Sequence, residues 1–119
     1  MNVSIAKDQC RVACINAKEL RIISYDEVHG RGCDLIIVSS SGEIYVIECK
    51  ESLKSGSTLN KVLQQIEECV NFVKKHLGSG RVIRRVFIKG RGKRGYSPFI
   101  NELKDRGVEI YEDALEIRG

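Results

Sequence analysis

The apolar residues of this chain fall into runs with two different spacings, and the spacing assigns most of its elements. Residues 34–39 (DLIIVS) and 43–48 (EIYVIE) are dense in β-branched and aromatic side chains and flank Ser40, Ser41 and Gly42, so they read as a hairpin. A hairpin loop of this length ends on a residue in the left-handed region, and Gly42 stands at that place. The loop fixes the register. Ser39 faces Glu43, Val38 faces Ile44, Ile36 faces Val46 and Asp34 faces Glu48, with Lys50 one step further along the same face. Both runs are apolar on both sides, Leu35, Ile37, Tyr45 and Ile47 on one and Ile36, Val38, Ile44 and Val46 on the other. Strands of that kind lie inside a sheet covered on two faces.

Helical spacing appears elsewhere. Leu59, Val62, Leu63, Ile66, Cys69, Val70, Val73 and Leu77 form one stripe of a long helix, with Ser57 or Thr58 as its cap and Gly78 at its end. Ile5 to Leu20 reads as an earlier helix, because Ala6, Cys10, Ala13, Cys14 and Ala17 recur three and four apart. Glu27 is placed on a strand before Asp34. Arg81 to Ile88 alternates as a strand, with Val82, Val86 and Ile88 on one side and Ile83 and Phe87 on the other. Ser97 and Pro98 open a helix with Phe99, Ile100 and Leu103 inward, and Gly107 ends it. Val108 to Tyr111 is a last strand, followed by a tail turn from Asp113 to Ile117. The order helix, strand, strand, strand, helix, strand, helix, strand describes one α/β domain over residues 1–119, a mixed sheet with helices on both sides.

Composition narrows the class. At 119 residues, 42% hydrophobic and 30% charged, the chain is expected to fold as one domain whose burial is marginal enough for a homodimer to help. Neither a signal peptide nor a long apolar stretch is visible, so a cytoplasmic protein with no membrane partner is expected. The five cysteines lack zinc-type spacing and read as small core hydrophobes. Pairing among them is expected only inside a hyperthermophile, a source at which the high charge content also hints.

The net charge of +4 hides a strong asymmetry: Cys69 to Asn101 holds nine Lys and Arg and no acidic residue, whereas the rest carries 11 basic against 16 acidic residues. Arg84, Arg85, Lys89, Arg91, Lys93 and Arg94 run from a strand into a glycine-rich loop. Clustered bases of this kind follow a phosphate backbone without reading bases, so nucleic acid is the expected partner.

Asp34 and Glu48 carry the candidate chemistry. Directly opposed carboxylates repel unless a cation lies between them, and oxygen ligands with open positions suit Mg²⁺ or Mn²⁺. The plain alternative is a pair of solvated strand ends. Residues 32–38 (GCDLIIV) and 42–52 (GEIYVIECKES) resemble the core of the PD-(D/E)xK nuclease superfamily, with archaeal Holliday junction resolvases and Mrr-like endonucleases as near relatives. The likeness follows the order of elements over roughly residues 5–77 and is specific over 30–52. It implies a three-layer α/β/α restriction-endonuclease-like fold with a central mixed sheet of about five strands. It also implies a metal held by Asp34, Glu48 and the backbone carbonyl of Cys49, and catalysis by Asp34, Glu48 and Lys50, with Gln65 steadying the lysine or the metal's water. Cys33 stands where the family usually has proline.

Many members carry a further glutamate on the first helix. Here Cys10 takes the matching position, Asp8 and Glu19 project to the opposite side, and Gln9 lies on the flank. Either Glu27 supplies the missing group or the metal site is weak. The resemblance thus points to a Mg²⁺-dependent DNA endonuclease, structure-selective in the manner of junction cleavage. The alternative is a catalytically weak or inactive nuclease-fold protein that binds nucleic acid or another protein.

Overall fold

The computed structural model describes residues 3–7, 10–15, 20–50, 56–78, 80–88, 97–111 and 115–118. In chain order these form β1 (Val3–Lys7), β2 (Cys10–Ile15), β3 (Leu20–Ser24), α1 (Tyr25–His29), β4 (Leu35–Ser39), β5 (Glu43–Lys50), α2 (Gly56–His76), β6 (Arg81–Ile88), α3 (Ser97–Asp105), β7 (Val108–Tyr111) and β8 (Leu115–Arg118). A five-stranded mixed sheet runs β3-β4-β5-β6-β7, and a three-stranded sheet runs β1-β2-β8.

The β4–β5 hairpin has the register its loop requires: Leu35 pairs with Ile47, Ile36 with Val46, Ile37 with Tyr45 and Val38 with Ile44. Gly42 adopts φ +87° and donates its N–H to the Ser39 carbonyl at 3.1 Å, a conformation that costs a glycine little. β3 adds antiparallel to β4, while β6 and β7 add parallel beyond β5. The β5–β6 pair needs a long crossover, and α2 supplies it.

Alternation along these strands splits the core in two. Ile36, Ile44, Val46, Val86 and Ile88 face Leu59, Val62, Ile66, Val70 and Val73 of α2, with Leu103 of α3 and Tyr25 of α1 in the same cluster. Each such aliphatic side chain contributes about 1.5–3 kcal/mol on full burial, which holds the helix to the sheet far more firmly than its propensity does. Tyr25 also meets Phe72 of α2 edge-on, with ring centroids 5.2 Å apart. On the opposite face Leu35, Ile37, Tyr45, Ile47 and Phe87 pack against Val12, Cys14 and Ile117.

That second cover differs from the expected one. Residues Ile5 to Leu20 were expected to form a helix on this face; β1 and β2 form an antiparallel hairpin instead, with Ser4 opposite Ala13 and Ile5 opposite Val12. Val12 and Cys14 point inward and are 1% exposed, whereas Arg11 before them is exposed and Ala13 between them is only half-buried, which is strand alternation. Where a tail turn was expected, β8 pairs parallel with β2 and buries Ile117. Among the described residues all three helices therefore lie on one face, and the second covering layer is β-structure. Glu27 sits exposed on α1 rather than on a strand, and α2 begins at Gly56, one residue ahead of Ser57. No helix among the described residues is long and apolar enough to cross a membrane.

Candidate active site

Asp34 lies one residue before β4, where its N–H donates to the Ile47 carbonyl at 3.1 Å and so continues the hairpin ladder to the level of Glu48. Alternation turns Asp34, Glu48 and Lys50 toward the helical face. The Cys49 N–H bridges the two carboxyl groups, donating to Asp34 Oδ2 at 2.8 Å and to Glu48 Oε1 at 3.3 Å. Glu48 is 1% exposed, and its Oε2 has no hydrogen-bond partner. Lys50 Nζ stands 3.9 Å from that oxygen, the outer limit of an ion pair.

A buried acid in this setting resists ionisation. Desolvation first, then the hydrogen bond and the charge of Asp34, push the Glu48 carboxyl up to about 9, against the opposing pull of Lys50 and the Cys49 N–H. A group of this kind at a sheet end costs free energy that an ordinary surface carboxylate does not. The orphaned Oε2 and its opposed partner have the chemistry of ligands for a hard divalent cation, which would fill its remaining positions with water or phosphate oxygens. Asp34 and Glu48 are the two side-chain ligands on offer. Among the described residues no cluster of three or more His, Cys, Asp or Glu is placed to hold a metal, so Glu27 does not complete such a set.

Gln65 of α2 is partly buried, and its Oε1 is enclosed without a partner. It lines a pocket of about 470 Å³ together with Arg31, Gly32, Lys61, Gln64 and Glu68. Of these six, Arg31, Gly32, Lys61 and Glu68 do not stand out in the sequence, although Lys61, Gln64, Gln65 and Glu68 recur at helical spacing as one polar stripe.

The cysteines correct an expectation. Cys33 and Cys69 are buried as core residues, yet their Cα atoms are 5.8 Å apart and their sulfurs are bonded, tying the segment before Asp34 to α2. The Cys33 N–H also donates to Cys69 Sγ at 3.0 Å. Cys49 is disulfide-bonded as well, which leaves its backbone rather than a thiolate as the group to consider beside Glu48. Cys14 is a free buried thiol, as expected, and burial raises its pKa.

Of the candidate phosphate contacts, Arg84 donates to Glu67 of α2 at 2.9 Å, and Arg85 donates to Glu109 at 3.0 Å while lying over the Tyr45 and Tyr111 rings at 4.7 and 5.1 Å. Both are thus engaged by carboxylates of this chain. β6 ends at Ile88, opposite Lys50, so the chain leaves the sheet at the carboxylate end. Lys89, Arg91, Lys93 and Arg94 lie outside the described residues. No known family model, curated protein or solved structure matches this chain.

Proposed function

We propose that the chain is a Mg²⁺- or Mn²⁺-dependent DNA endonuclease of the PD-(D/E)xK type, acting as a cytoplasmic homodimer. One observation carries the reading: Asp34 and the buried, partly unpartnered Glu48 oppose each other beside Lys50 at the end of the hairpin. The meander β3-β4-β5, the α2 crossover and parallel β6 support a restriction-endonuclease-like core, with β1-β2-β8 in place of the second helical layer.

Asp34 and Glu48 would hold the cation with the Cys49 carbonyl. The bound ion would supply Lewis-acid charge to the scissile phosphate. This chain's own groups then divide the work. The Cys49 N–H holds the Asp34 carboxylate in place, and Lys50 sets a positive charge where negative charge develops on the attacking water and the phosphate. Gln65 lies on the helix that covers the same face and is proposed to orient water there. Arg84, Arg85, Lys89, Arg91, Lys93 and Arg94 are proposed as sequence-independent phosphate contacts. Disulfide-bonded cysteines fit a cytoplasm of the hyperthermophilic kind.

Supercoiled plasmid and branched-junction cleavage with Mg²⁺ or Mn²⁺ tests this reading. Glu48→Ala and Lys50→Ala should each lower the rate by about 10²–10³, the usual cost of removing one charge-stabilising group. Cleavage indifferent to both would sink it. The second reading, a nuclease-fold binding module, is favoured by the lack of a third acidic ligand among the described residues. Salt-sensitive junction binding with no cleavage would select it.

A further inference from the structure

Lys61, Gln64, Gln65 and Glu68 stand at i, i+3, i+4 and i+7 on α2, so they form a polar stripe flanking the buried one. The stripe faces a wall made by Arg31 and Gly32, and the space between them is the pocket of about 470 Å³. The wall is fixed on two sides. A Cβ on Gly32, at φ +142°, would run into the Tyr25 ring, and the Cys33–Cys69 disulfide clamps the next residue to α2 one turn beyond Gln65. Because α2 returns from the end of β5 that carries Glu48 and Lys50, its first half and the pocket share the carboxylate end of the sheet. Gly32 precedes Asp34 by two residues.

The lining sorts into complementary halves. Arg31 and Lys61 are exposed donors of positive charge, whereas Gln65 Oε1 is a buried acceptor without a partner, and the Glu68 carboxylate lines the same pocket. A phosphate alone would satisfy the first half and leave the acceptors empty. Pockets of about 300–1,000 Å³ enclose small molecules rather than single ions, so the space calls for a ligand with an anion at one end and N–H donors at the other.

We propose that this pocket takes one unpaired nucleotide of a DNA strand, its phosphate against Arg31 and Lys61 and the N–H groups of its base toward Gln65 Oε1 and Glu68. The base must be unpaired, since pairing would occupy the same N–H groups. The inference rests on the nuclease reading and names its substrate class: DNA with an extruded or single-stranded nucleotide next to the cut.

Fluorescence anisotropy without divalent metal compares a duplex carrying a one-nucleotide bulge with the fully paired duplex. Wild type should bind the bulged form about tenfold more tightly, the effect of one or two charge-assisted hydrogen bonds. Arg31→Ala, Lys61→Ala and Gln65→Leu should each bring the ratio toward one; Arg31 lies off the helix, so the test survives a helix variant that fails to fold. Arg106→Ala, in an exposed ion pair with Glu102 outside the pocket lining, should leave the ratio as in wild type. Equal affinity for the two duplexes, or a ratio unmoved by all three pocket variants, would overturn the proposal even if Glu48-dependent cleavage is found. Cleavage independent of Glu48 with the binding preference intact would remove the nuclease reading and leave the pocket standing. Free deoxynucleotide monophosphate at millimolar concentration should not displace the bulged duplex; displacement would overturn the strand and make this a small-molecule site.

Discussion

The five-stranded sheet presents the same strands to two very different covers. Toward β1, β2 and β8, Leu35, Ile37, Tyr45, Ile47 and Phe87 meet Val12, Cys14 and Ile117, and Arg85 on that side is matched by Glu109 and two tyrosine rings. Toward α2, the row Ile44 and Val46 continues into Glu48, a buried acid with an oxygen left over. A second sheet laid on the first closes its face. The helical cover leaves a pocket beside α2, where Arg31, Lys61, Gln64, Gln65 and Glu68 gather. The β-covered face is built for stability, and the helix-covered face spends part of its stability on an unmatched carboxyl.

The largest test of that contrast removes the link on the helical face. The Cys33–Cys69 disulfide spans 36 residues, and Cys33→Ser should cost about 4 kcal/mol by the loop-entropy relation, read as the denaturation midpoint against wild type under oxidising conditions. Cys14→Ala, a free thiol on the other face, should cost far less. If the two losses are equal, the faces are not distinct in this way.

Next comes pH. The folded state holds the Glu48 proton up to about 9, while the unfolded chain releases it near the ordinary value of 4.5. The raised group therefore stabilises the fold fully below the lower value, and its contribution is lost as pH rises toward the upper one. Thermal midpoints of the metal-free protein should fall across that window, and Glu48→Gln should flatten the fall. Saturating Mg²⁺ should flatten it too, since a bound cation takes the proton's place. A wild-type profile as flat as that of Glu48→Gln would contradict the assigned burial.

The smallest effect separates the two arginines of β6. Arg85, with a side chain 12% exposed between Tyr45 and Tyr111, should lose about 1–2 kcal/mol on change to Ala. Arg84, 29% exposed and paired with the open Glu67, should lose about 0.2–1 kcal/mol. Urea melts of the two variants decide it, and a larger loss at Arg84 would reverse the picture.

The helix-covered face was the more legible in sequence. The loop length and Gly42 determined the hairpin register, and the α2 stripe is long enough for its period to stand out, so the Asp34–Glu48 opposition followed from local rules. On the other face Ala6, Cys10, Ala13, Cys14 and Ala17 mimic a helical stripe, while Ile5, Val12 and Cys14 satisfy strand alternation, Ile5 lying opposite Val12. Small side chains discriminate poorly between the two periods, and the decision came from pairing with β8, at the far end of the chain. α1 spans only Tyr25–His29, too short to show a helical period, so in sequence Glu27 reads as part of a strand. The disulfide and the pocket both depend on α2 meeting the segment before Asp34, a contact that no spacing announces.

The Cys33–Cys69 bond also bears on how fast the molecule assembles. β5 and β6 are parallel, so their pairing must wait for the whole α2 crossover to be brought back, a non-local step of the kind that slows folding. In an oxidised unfolded chain the bond already holds the middle of that crossover beside the start of β4, which shortens the search before β6 can dock. Refolding from the oxidised state should therefore outpace refolding of the reduced chain.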